Sequence, residues 1–254
     1  MSDFSVCVVQ IAGPGATDRL VDWLAAELPR SHIEILRAGT VPARRAQAVR
    51  RGRSEALLLV EDTVRPAGGW RAAVDDALGD PALSAASGPL RCPASLPPRV
   101  QAWAAHEYRL DDGTGARAML PGHLLLLRRQ AALAALDEDG LREDTFFPRL
   151  HGGKRLVHGL AAEIVAADPR GASIRGQARH GRGWAGRQRS GWPRRVRAAR
   201  VLGWPALACL RTARSLDRPL DLPVRARVAG LACGWAVGEA AGTLLGPGSE
   251  EHWR

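Results

Sequence analysis

The hydrophobic positions of this chain fall into a repeating order of strand and helix. Phe4 to Ile11 (FSVCVVQI) is a continuous β-prone run, the pattern of a strand buried on both faces. After the turn Ala12-Gly13-Pro14-Gly15, the segment Thr17 to Leu28 carries Leu20, Val21, Leu24 and Leu28 on one face and predicts an amphipathic helix. Ile33 to Leu36 predicts a short second strand, Ala43 to Arg53 a helix with an exposed arginine face, and Glu55 to Val60 a third strand. This alternation predicts an α/β fold with a mostly parallel sheet flanked by helices. The turn Pro66-Ala67-Gly68-Gly69 leads into a helix over Trp70 to Leu78. Further on, the pattern predicts a strand within Leu83 to Leu90 and a helix over Val100 to Tyr108. A strand over Gly122 to Leu127 runs into Arg128-Arg129, followed by a helix over Gln130 to Leu136. Phe146 to His151 reads as a short helix closed by Gly152-Gly153, and Leu156 to Ala167 contains the last strand.

Charge divides the 254 residues into unequal parts. Met1 to Arg170 holds 21 basic and 21 acidic residues, whereas Arg175 to Arg227 holds 14 arginines against only Asp217 and Asp221, a net of +12. The basic character therefore belongs to one region, not to the α/β part. Cys7, Cys92, Cys209 and Cys233 are scattered without a CxxC spacing, which predicts buried thiols in a reducing compartment. Met1-Ser2-Asp3-Phe4 lacks the basic and apolar regions of a secretory signal.

Candidate chemistry lies at two acidic clusters. Glu61-Asp62-Thr63 closes the apolar run Ala56 to Val60, and open α/β sheets place ligands at the carboxyl ends of such strands. Glu143-Asp144-Thr145 follows Asp139-Gly140 and opens Phe146 to Leu150. Meeting in space, the two clusters would supply a cation site and a general base. Each also has a structural reading: Asp62 or Thr63 as a turn cap, and Asp144 or Thr145 as a helix N-cap.

The stretches Val41–Trp70 (VPARRAQAVRRGRSEALLLVEDTVRPAGGW) and Pro121–Val157 (PGHLLLLRRQAALAALDEDGLREDTFFPRLHGGKRLV) resemble the family 2 glycosyltransferases, whose catalytic domain has the GT-A fold. The resemblance covers roughly residues 4 to 170. It implies that Glu61, Asp62 and Thr63 face the diphosphate of a nucleotide-sugar donor, with Glu61 and Asp62 holding Mg²⁺ or Mn²⁺. The usual D-x-D is altered, with Glu61 in place of its first acid and Thr63 in place of its last. The resemblance further implies that Asp144, beside Glu143, removes the acceptor's proton in an inverting transfer. Members of the family commonly carry an Asp after the second strand, and this chain reads Arg37-Ala38-Gly39-Thr40 there. Arg44, on the following helix, is a candidate phosphate partner. A Gln/Arg/Trp motif of the family finds its residue types, without the usual spacing, in Gln177, Arg182 and Trp184. His180, Arg182 and Arg187 become candidate acceptor or diphosphate contacts.

The tail resembles membrane-associated bacterial members through Gly181–Arg189 (GRGWAGRQR) and Gly234–Gly248 (GWAVGEAAGTLLGPG). Val228 to Gly246 is at the short end of a membrane-spanning length and places glycine at every fourth position from Gly230 to Gly246. That spacing suits close backbone approach, in a bilayer or against another helix. Glu239 is costly in lipid, so a re-entrant hairpin, a single span and a soluble helix pair all fit. The expected organisation is a GT-A-like domain over 1–170, an Arg-rich juxtamembrane region over 171–227, and a Gly-rich hydrophobic helix with a short tail over 228–254. The expected partners are a nucleotide-sugar donor, a lipid-linked or glycan acceptor and an anionic membrane surface, at the cytoplasmic face of a bacterial inner membrane. The arginines and tryptophans of the belt come without a nucleic-acid-binding motif, and no nucleic-acid partner is expected. The rival to an active envelope-glycan or glycolipid transferase is a catalytically degenerate homologue acting as a binding or scaffold subunit.

Overall fold

The computed structural model describes residues 4–107, 115–138, 140–168, 171–187, 201, 203 and 221–246, with the side chains of 107, 144, 184, 186 and 187 left aside. The described residues gather into two compact units, 1–91 with 111–166, and 92–110 with 167–254. The segment carrying the helix expected near Val100 thus belongs with the C-terminal residues.

In the first unit the order is β1 (Phe4–Val9), α1 (Pro14–Ala25), β2 (Ile33–Leu36), α2 (Val41–Arg51), β3 (Ala56–Glu61), β4 (Val64–Pro66), α3 (Trp70–Gly79), β5 (Leu83–Ser87) and β6 (Leu90–Arg91). It continues, past α4 (Pro98–Glu107) of the other unit, with β7 (Gly115–Ala116), β8 (Leu124–Arg128), α5 (Arg129–Ala135), α6 (Glu143–Arg149), β9 (Gly153–Leu156) and β10 (Ala162–Ile164). The main sheet runs β2-β1-β3-β8-β5-β9-β7 among the described residues. β2, β1 and β3 are parallel neighbours, as are β5 and β9, while β8 and β7 run antiparallel to theirs. A smaller sheet sets β4 antiparallel and β6 parallel to β10. This is the α/β architecture with a mostly parallel sheet that the alternation predicts.

Both faces of the central strands are covered, which is why β1, β3 and β8 read as unbroken apolar runs. Cys7, Val9, Leu57, Leu59, Leu125 and Leu127 form one core with Ala48 and Val49 of α2, Ala132 and Ala135 of α5, and Phe146 and Phe147 of α6. On the other parity, Phe4 meets Trp70 of α3 edge to face at 6.2 Å, and Trp23 of α1 lies 6.4 Å from the same indole.

Three details differ from the pattern. The chain turns at Asp62-Thr63 and resumes as β4, a strand too short to show a period. Ahead of the last strand, β10, which falls within Leu156 to Ala167 as expected, the chain adds β9 and a 3₁₀ turn over His158–Leu160. Helix α6 begins at Glu143 after Arg142, with no side-chain cap, so Asp144 and Thr145 are helical residues and not its N-cap.

The second unit contains α4 (Pro98–Glu107), α7 (Ile174–Arg187) and α8 (Leu222–Leu245). The glycine ladder of α8 lies against the backbone of α7. A Cβ on Gly234 would stand 2.4 Å from the Ile174 carbonyl oxygen, on Gly238 1.8 Å from that of Ala178, and on Gly242 2.1 Å from that of Arg182. Only hydrogen fits at these positions. The roughly 1 kcal/mol that each glycine costs a helix is offset by this close approach. Glu239 is buried and accepts a hydrogen bond from the Trp235 indole N–H at 3.0 Å. Among the described residues α8 is the one helix long and apolar enough to cross a membrane, and half of its most apolar window is buried. The Arg-rich region expected over 171–227 falls largely outside the described residues.

Candidate functional site

The carboxyl ends of β1 and β3 meet the N-terminal turn of α6 around one arginine. β1 and β3 pair in register through Val9 and Glu61, so the residues after each strand emerge side by side. Asp62 is fully buried, and its carboxylate is spent on the loop that follows β1. Oδ1 accepts from the backbone N–H groups of Ile11 and Ala12, each at 2.7 Å, and Oδ2 from Gly13 N at 3.3 Å and Thr17 Oγ1 at 2.8 Å. This loop opens α1 with Gly13 at φ 118°, a conformation suited to glycine, and Pro14 in the first turn. The turn-cap reading comes near, but Asp62 shapes a loop some fifty residues away and not its own turn.

Glu61 is buried beside it and paired with Arg45 of α2, whose Nη2 donates to Glu61 Oε1. Arg45 Nη1 donates to Glu143 Oε1 at 3.1 Å, so one guanidinium joins both acidic clusters. Burial alone would depress Arg45, but the Glu61 and Glu143 carboxylates hold it above its ordinary value. Glu61 is sealed at 5% side-chain exposure, whereas Glu143 at 37% reaches solvent. Losing one partner of such a buried pair costs about 3–5 kcal/mol, because the other charge is left uncompensated.

Several backbone features bring the three groups together. Thr40 caps α2 by accepting from Ala43 N, and Leu141 N donates to the Pro42 carbonyl at 3.2 Å, tying the entry of α6 to the start of α2. Phe146 and Phe147, both fully buried, anchor α6 to the core. Gly122, just ahead of β8, leaves room for the ion pair: a Cβ there would lie 2.2 Å from Glu143 Oε1 and 2.3 Å from Arg45 Nη2. Ser87 fixes this loop by donating to the Leu124 carbonyl at 2.6 Å. The next residue, His123, is buried, and its carbonyl accepts from Glu61 N at 2.9 Å. Burial, reinforced by the Arg45 charge, pushes the His123 imidazole down to about 3.

The other predicted residues take these places. Arg44 is half-buried and donates to the Gln10 carbonyl at the end of β1, beside the loop that Asp62 holds. Thr63 is buried, and its hydroxyl donates to Glu61 Oε2 at 3.5 Å. Asp144 is the second residue of α6, but its side chain is outside the described residues, as is that of Arg187. In the second unit the His180 ring meets Trp235 edge to face at 5.2 Å, and Arg182 Nε donates to the Gly246 carbonyl at 3.3 Å.

The resemblance implies Mg²⁺ or Mn²⁺ on Glu61 and Asp62, and the partners of these residues do not fit it. A hard cation needs several free oxygens at about 2.0–2.6 Å. Both oxygens of Asp62 face N–H or O–H donors, and Glu61 faces a guanidinium. Among the described residues no group of three His, Cys, Asp or Glu side chains is placed to hold a metal ion.

Arg45 and His123 were not legible as site residues. Arg45 sits among Arg44, Arg50 and Arg51, which together suggested a solvated face. Arg50 and Arg51 are exposed, but Arg45 is not. The one available signal was its spacing: Arg45 lies four residues after Val41 and three and four before the buried Ala48 and Val49, on the inward stripe.

No family model and no curated protein sequence matches the chain. Among solved structures, it is similar to A197 from STIV at 16% identity and a TM-score of 0.47, over 66% of this chain and 87% of that one. It is similar to the mannosyltransferase PcManGT from Pyrobaculum calidifontis, solved with GDP-Man and Mn²⁺, at 18% identity and a TM-score of 0.49. That match spans 95% of this chain and 78% of the other. GalNAc-T7, solved with UDP, GalNAc and Mn²⁺, matches at 9% identity and a TM-score of 0.45, over 73% and 50% of the two chains. These likenesses concern architecture, and the ligands named belong to those proteins.

Proposed function

We propose that this protein transfers a sugar from a nucleotide-sugar to an acceptor hydroxyl. The observation that carries the reading is the convergence of Glu61, Asp62 and Glu143 at the carboxyl ends of β1 and β3, where an α/β sheet takes its ligands. The loop held by Asp62, with Arg44 beside it, forms the donor side, and the start of α6 forms the acceptor side. In the inverting transfer the acceptor oxygen bonds to the anomeric carbon as the bond from that carbon to the diphosphate breaks. The nucleoside diphosphate leaves, and the acceptor's proton passes to Asp144, one residue beyond Glu143. With an apolar α8 and the basic region before it, the acceptor is a lipid-linked or envelope glycan, met at the cytoplasmic face of a bacterial inner membrane.

A second reading has its own support. Asp62 is committed to a loop and Glu61 to an arginine, which suits a homologue that binds a sugar nucleotide without turning it over. The deciding experiment is a thermal-shift screen of the purified full chain against UDP-, GDP- and dTDP-sugars, followed by release of nucleoside diphosphate with a glycan acceptor. Binding with turnover that Asp144→Asn abolishes supports the transferase. Binding without turnover selects the scaffold, and no binding rejects both.

A further inference from the structure

We infer that Arg45 is the resident cation of this acidic site, and that the site therefore takes no divalent metal. Three observations converge on this. The guanidinium is buried and shared between Glu61 and Glu143, so the position a metal would take between the two acidic clusters already holds a positive charge. Gly122 is the enabling residue, because any side chain there would collide with Nη2 and Cζ of Arg45, at 2.3 and 2.6 Å from its Cβ. The remaining acid, Asp62, is turned toward the loop after β1, with donors on both oxygens.

Physical chemistry makes the arrangement exclusive. An arginine stays protonated throughout the accessible pH range, so its charge cannot be withdrawn to admit a second cation. A divalent ion brought to Glu61 would stand within a few ångströms of that charge in a poorly screened interior, and like charges repel strongly there. It would also compete with the guanidinium, which already holds Oε1 of both Glu61 and Glu143. The charge is thus built into the chain, where a metal site would borrow it from solution.

For a nucleotide-sugar the consequence is concrete, and this part rests on the transferase reading: binding to the site is independent of Mg²⁺ and Mn²⁺. The test separates the two claims. The full chain and Glu61→Gln are titrated with Mn²⁺ alone, followed by the electron paramagnetic resonance of the free ion. Mn²⁺ uptake that is absent, or the same in both proteins, is the expected result. Uptake by the native chain that Glu61→Gln loses overturns the inference. An Arg45→Gln variant should melt lower in EDTA and recover in Mn²⁺, since it exposes two carboxylates. If it does not fold, the comparison of the native chain with Glu61→Gln stands without it. Sugar-nucleotide shifts that persist in EDTA support the inference, and shifts that require Mn²⁺ overturn it. If sugar nucleotides do not bind at all, the transferase reading fails while the Mn²⁺ titration still decides the metal.

Discussion

Gly122 and Arg45 are fitted to each other: the guanidinium occupies the volume that any side chain at position 122 would need. Gly122→Ala is therefore expected to break the Arg45–Glu143 contact first, because Glu143 is the more exposed of the two carboxylates that Arg45 joins. Overpacking of this kind costs about 1–3 kcal/mol. Urea unfolding of the native chain, Gly122→Ala, Glu143→Gln and the double variant would measure it. A smaller loss on adding Glu143→Gln than on making it alone is the expected sign of coupling.

Asp62 is expected to act through the loop, not through a metal. Asp62→Ala leaves the N–H groups of Ile11 and Ala12 without their acceptor and should lower stability by about 2–4 kcal/mol, with Asp62→Asn intermediate. The loss should be equal in EDTA and in Mn²⁺. A penalty that appears only in the presence of the metal would place Asp62 in a coordination site instead.

His123 predicts a pH dependence. Its folded value of about 3 lies below the ordinary 6.5, so the unfolded chain binds this proton first as pH falls. The neutral ring's contribution is complete above pH 6.5 and is lost between there and 3. Within that window it gives a slope of at most about 1.4 kcal/mol per pH unit. Stability measured from pH 7 to 4 should fall less steeply in His123→Asn than in the native chain. Parallel curves would show that the ring is protonated in the fold.

Cys7 and Cys233 report on the first and second units separately. Cys7 is buried, and burial together with Glu34 pushes its thiol up to about 12, so it should resist aqueous thiol reagents at pH 8. Cys233 is exposed on α8, near the exposed Val237. This departs from the expectation of uniformly buried thiols. In detergent-free solution Cys233 should react, and anionic liposomes should shield it if α8 meets a membrane. Reaction unchanged by liposomes would keep that face in water.

The sheet was legible because its strands are buried on both faces and announce themselves as apolar runs between amphipathic helices. The acidic clusters were legible because each ends or opens an element. What each carboxylate does was not. Glu143 finds Arg45 across 98 residues, and Asp62 finds Ile11 and Ala12 across some fifty. Such partners are chosen by strand order and loop shape, which a local pattern does not carry. Spacing did predict that the glycines of α8 permit close approach, but not that the receiving surface is the backbone of α7 at Ile174, Ala178 and Arg182.

That last contact works like a toothed rack. Its teeth recur every fourth residue on both helices, so a slip of one or two residues would drive a side chain into a carbonyl. Register between α7 and α8 is therefore a whole-step quantity, fixed by which glycine receives which carbonyl.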